Sequence, residues 1–71
     1  MNNLTVTLFE CRMIFTDLSL KEEKVIYETS NKLCCNPYYD GVTKRLVTDA
    51  PQQDLYRLLY ELSSKYTITM E

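Results

Sequence analysis

The sequence predicts one small α+β domain spanning residues 1–71: a three- to five-stranded, mainly antiparallel sheet packed by one or two helices. Three observations lead there. Short runs of β-branched and aromatic residues occur near both ends and in the middle of the chain. The stretch 51–65 carries leucines at helical spacing. The composition, with 45% hydrophobic and 25% charged residues, one glycine and two prolines, is that of a globular protein without linkers or low-complexity tracts. A chain of 71 residues buries only about 60% of the surface its unfolded form exposes, so the core has little to spare.

Residues 4–16 are the first strand candidate, because Leu4-Thr5-Val6-Thr7-Leu8 alternates as a half-buried strand does. The alternation then changes phase. Leu4, Val6 and Leu8 lie on one face, whereas Phe9, Cys11, Met13 and Phe15 lie on the other. A period-two ladder does this only through a bulge near Phe9 or by burial on both faces.

Residues 19–34 fit either a helix or a strand. Ser19-Leu20-Lys21-Glu22 matches a capping box, in which the serine oxygen accepts a first-turn amide and the glutamate reaches back. On a helix Leu20, Tyr27 and Cys34 share a face flanked by Ile26 and Leu33, although Glu23 and Ser30 interrupt it. Val25-Ile26-Tyr27-Glu28-Thr29 also reads as a strand. The helix is preferred because Asn36 and Pro37 supply a stop just past its end.

Asn36 to Gly41 reads as an exposed turn, with Asp40-Gly41 supplying the positive φ of a tight hairpin, and residues 42–48 return as a strand. Asp49 is placed to cap the next helix, with Pro51 in its first turn, where a missing amide costs nothing, and Lys65 near its end. Leu55, Leu58, Leu59 and Leu62 form its apolar stripe; Asp54, Arg57, Glu61 and Lys65 pair on the solvated side. Residues 66–70 form a last strand.

The chemistry is read largely by subtraction. There is no histidine, so a serine or cysteine nucleophile lacks its commonest base, and Glu22-Glu23 point about 100° apart on a helix rather than toward one site. Gly41 stands alone, which excludes the usual phosphate-cradling loop. Cys11, Cys34 and Cys35 have neither the spacing nor the histidines of a zinc site; Cys11 and at least one of the pair are expected as small core fillers. The expectation is a protein that is not an enzyme and uses no metal or cofactor.

The formal charge is −2, and the only adjacent basic pair is Lys44-Arg45, which argues against nucleic-acid binding. The longest apolar run is far short of the roughly 20 residues that span a bilayer. An odd cysteine count and a Met1-Asn2-Asn3 start unlike a secretory signal point to the reducing cytoplasm.

Six tyrosines remain, against two phenylalanines and no tryptophan. Tyrosine combines a large apolar face with a polar tip, which suits protein-binding surfaces. With the leucine stripe facing the core, Tyr56 and Tyr60 project roughly 100–140° away from it, beside Gln53. They either close the edge of a small core or form a partner-binding patch, joined by Tyr38 and Tyr39 from the turn. Tyr27 and Tyr66 are expected to be structural. Small size, mild acidity, missing catalytic groups and surplus tyrosine together resemble the small inhibitor proteins that phages and other mobile elements encode, a likeness of style without a shared motif. The expected function is a non-catalytic protein-interaction module that inhibits or modulates a larger protein, with Gln53, Arg57 and Ser64 setting register. The alternatives are a homo-oligomer with a structural or nucleic-acid-associated role through Lys44-Arg45, and an oligomer that sequesters a small ligand between subunits.

Overall fold

The computed structural model describes residues 2–71. Its elements are, in chain order, β1 (Asn3–Phe9), β2 (Arg12–Thr16), α1 (Leu20–Lys32), β3 (Pro37–Asp40), β4 (Arg45–Asp49), α2 (Gln52–Ser63) and β5 (Thr67–Met70). The strands form one sheet in the order β3-β4-β2-β1-β5, antiparallel throughout except for the parallel pair β1 and β5.

Two crossovers build this order. The connection from β2 through α1 to β3 moves toward one edge, and that from β4 through α2 to β5 runs in the opposite strand direction toward the other. Crossovers of one hand that reverse both direction and displacement land on the same face. Both helices accordingly cover one face, α1 above β3 and β4 and α2 above β2 and β5. Between them and the sheet lies the core: Leu4 and Val6 of β1, Met13 and Phe15 of β2, Leu46 of β4, Ile26 of α1, and Leu55, Leu58 and Leu62 of α2.

The phase change in residues 4–16 has a cause other than a bulge. Phe9 pairs with Arg12, so Glu10-Cys11 is a two-residue turn and the segment is a hairpin. The turn reverses the chain and brings Leu8 opposite Met13 and Val6 opposite Phe15 on the core face, whereas Phe9 and Cys11 are exposed. Glu10 adopts φ 54°, which such a turn demands and which glycine usually supplies.

Residues 19–34 resolve as a helix. The capping box is complete: the Glu22 amide donates to Ser19 Oγ at 3.2 Å, and the Ser19 amide donates to Glu22 Oε1 at 2.9 Å. At the other end Cys34 takes φ 60°, its amide donating to the Asn31 carbonyl and that of Cys35 to the Ser30 carbonyl. This is the left-handed cap in which glycine is the common occupant. The buried stripe runs through Ile26 and Ser30 with Leu33 beside it, not through Leu20 and Tyr27, which are exposed. Lys24 and Glu28 share the face of Leu20 and Tyr27, and two charges on a four-residue stagger turn that face to water.

Residues 36–41 are not an exposed turn. Pro37 to Asp40 pairs with Arg45 to Thr48 as β3, and Pro37 is buried. The reversal lies in residues 41–44, where the Lys44 amide donates to the Asp40 carbonyl at 2.7 Å. The Asp40 carboxylate accepts from the Val42 amide at 3.0 Å and from Thr43 Oγ1 at 2.9 Å, which holds its pKa below the ordinary range. The positive φ falls on Lys44, at 58°, and not on Gly41, which removes Lys44 from any basic strand. Asp49 does not cap α2 either. Pro51 holds the N-cap position without a side-chain bond, and Asp49 ends β4. Helix α2 stops at Ser63, two residues short of Lys65.

Candidate functional site

A fold with helices on one face of its sheet exposes three kinds of surface: the outward sides of the helices, the bare sheet face and the two edge strands. On α2 the core contacts are made by Leu55, Leu58 and Leu62, with no surface left in water, and Leu59 is half-buried. Tyr56 and Tyr60 follow one turn apart on the outward side and remain 55% and 76% exposed, with exposed Gln53 preceding them. More than half of each tyrosine's own surface therefore lies in water.

Tyr38 and Tyr39 do not join that surface. Neighbouring residues of a strand point to opposite faces, and these two separate accordingly. Tyr38 lies on the helix-free face opposite Val47, half-buried, its hydroxyl donating to Asp49 Oδ2 at 3.0 Å. Arg12 donates to Asp49 Oδ1 through Nε at 2.9 Å and to Oδ2 through Nη2 at 3.4 Å. With both donors on it, the Asp49 carboxyl is held below its ordinary pKa, first by the Arg12 hydrogen bond. The rest of this face is threonine-rich, with Thr5 beside Thr16 and Thr7 beside Ile14.

Tyr39 instead borders α1. With Leu20 and Tyr27 it lines a groove of about 320 Å³ between α1 and β3, rimmed by Glu23, Lys24 and Glu28. Interaction with the Glu23 carboxylate, with burial second, pushes the pKa of the Tyr39 phenol up to about 12. Leu20, 85% exposed, and Tyr27, 41% exposed, are the residues of this groove that sequence reasoning placed on the apolar side of the helix. The signal that places them outside is the shared face with Lys24 and Glu28, whose weight exceeds that of the single heptad spacing from Leu20 to Tyr27. Tyr66, by contrast, packs against the core as expected, and burial raises its pKa.

The cysteines divide. Cys35 is fully buried, its thiol against the carbonyls of Leu33 and Asp54 at 3.6 and 3.5 Å, and desolvation raises its pKa. Cys11 and Cys34 are exposed, which corrects the expectation of a buried Cys11. Cys11 borders a shallow concavity of about 670 Å³ with Phe9, Arg12 and Pro51 between the first hairpin and the start of α2. Among the described residues no three cysteine or carboxylate side chains gather as metal ligands, and no helix is long and apolar enough to cross a membrane.

Comparison with protein-family models, with curated proteins and with solved structures gave no match.

Proposed function

We propose that the protein is a non-catalytic protein-interaction module whose docking surface is the outward side of α2, with Tyr56 and Tyr60 as anchors. One observation carries the reading. While the leucines of the same helix face the core, two large aromatic side chains one helical turn apart keep 55% and 76% of their surface in water. Paired on a rigid helix, they lose little conformational freedom on binding, which is the property that makes tyrosine a frequent anchor at interfaces. Gln53 precedes the pair and Arg57 lies between its members, giving a polar rim to fix register. In this mechanism the module covers a surface of a larger protein, inhibiting or modulating it, and Tyr38 takes no part.

The test is a tagged pull-down from a lysate of the native host. Wild type and the Y56A/Y60A variant are run in parallel, with bound proteins identified by mass. A stoichiometric partner captured by wild type and lost in the variant is the expected result. A partner retained by Y56A/Y60A but lost when Leu20 and Tyr27 are changed to serine would move the docking surface to the α1–β3 groove.

A further inference from the structure

The two edges of the sheet are treated differently by the sequence. On β3 the Asp49 amide donates to the Asn36 carbonyl, and antiparallel alternation then turns Tyr38 and Asp40 inward and Pro37 and Tyr39 outward. Pro37 has no amide to offer, so that edge presents one donor, and the strand itself ends on the acidic Asp40. Both are ways of blunting an edge against another chain.

On β5 the opposite holds. The Thr67 amide donates to the Asn2 carbonyl at 2.9 Å and the Glu71 amide to the Val6 carbonyl at 2.8 Å. The parallel ladder alternates, so Ile68 and Met70 direct both their amides and their carbonyls away from the sheet. The strand Thr67-Ile68-Thr69-Met70 contains no charge, proline or glycine. On the core side Ile68 is half-buried and Met70 49% exposed, so the apolar layer runs to this edge and is left uncovered there.

We infer that β5 is a self-association edge, pairing antiparallel with β5 of a second copy of this chain across a two-fold axis at Thr69. The chemistry is self-complementary. In this register Ile68 exchanges two hydrogen bonds with Met70 of the partner subunit, and Met70 exchanges two with Ile68 of the partner subunit. The same pairing sets Ile68 beside Met70 on the core side, extending the apolar layer through the axis, and Thr69 beside its own copy on the helix-free side. It also turns Glu71 toward the end of the partner strand that Lys65 precedes. A neutral, β-branched edge bears no like charges to repel its copy. A four-residue strand pair buries less than the roughly 1,200 Å² of a stable complex, so the association is weak and concentration-dependent. The contact does not use the Tyr56–Tyr60 pair.

Sedimentation equilibrium of the full chain over a range of concentrations tests this. Wild type is expected to pass from 8.4 kDa toward twice that mass. Met70→Pro removes one outward donor per copy without touching the bonds to β1, and should weaken association about tenfold or more. Thr69→Lys and Thr69→Glu each place like charges across the axis and should weaken it about fivefold, and mixing the two should restore it. Circular dichroism and melting identify any variant that fails to fold; if Met70→Pro does so, the charge pair decides. A monomer at every concentration, or a dimer indifferent to the variants that fold, would overturn the inference. Mass in a pure solution is independent of capture from a lysate, so the two readings fail separately.

Discussion

Removing Tyr56 and Tyr60 together should cost far less stability than removing one leucine beneath them. The two rings keep 55% and 76% of their surface in water. About a third of the pair is therefore covered, and part of that is helix backbone, leaving roughly 60–80 Å² of apolar ring, worth about 1.5–2 kcal/mol at about 25 cal/mol per Å². Alanine recovers about 0.5 kcal/mol at each position through its better helix propensity. The net loss is about 0.5–1 kcal/mol, or roughly 3–7 °C in melting temperature for a chain of this length. Leu58→Ala, at a site with no exposed surface, should instead cost about 2–5 kcal/mol, a large share of the total for so small a domain. Urea and thermal melts of both variants, followed by far-ultraviolet circular dichroism, give the comparison. If Y56A/Y60A is destabilised as much as Leu58→Ala, the rings belong to the core and the docking surface on α2 loses its basis.

Other predictions follow from single groups. Cys34→Gly should raise stability by about 1 kcal/mol in urea melts, because glycine takes the left-handed φ of 60° without steric cost. A loss would show that the Cys34 side chain is itself held by the fold. Thr48 is buried and, among the described residues, its hydroxyl has no partner, so Thr48→Val should stabilise by about 1 kcal/mol in the same assay; a destabilised variant would reveal a bond to that hydroxyl. Asp40 and Asp49 titrate below the ordinary value of 3.8 in the folded chain. Their contribution is thus fully present above that pH and is lost as pH falls through the folded values, since the unfolded chain binds protons first. Asp49→Asn should flatten this acid limb of the stability curve, and an unchanged limb would remove Asp49 from the account.

Some of this architecture was legible in the residues. The leucine stripe of α2 and the Ser19–Glu22 box of α1 are local signals that tertiary contacts then reinforce, and both helices stand where those signals lie. Part of what stayed hidden has one physical cause: four turn and cap positions with φ near 60° are filled by Glu10, Asp17, Cys34 and Lys44 rather than by glycine. The first hairpin therefore looked like one long strand with a slipped phase, while the single glycine drew the turn to the wrong residue. Strand β3 was obscured because Asn36-Pro37 and Asp40-Gly41 are turn dipeptides, yet Pro37 tolerates an edge, where its lost amide would have faced outward. For the site, helical geometry alone placed Tyr56, Tyr60 and Gln53 outside the core. Tyr38 and Tyr39 separate once their segment is a strand, because adjacent strand residues face opposite ways.

The docking surface on α2 is tested most directly by contact at the ring positions themselves. A photo-reactive phenylalanine analogue at position 60, and in a separate protein at exposed Lys32 on α1, is irradiated in host lysate. A single adduct heavier than the 8.4 kDa chain, formed from position 60 and absent from position 32, is the predicted result. Equal adducts from both positions, or none from position 60 while the chain still captures a partner, would contradict it.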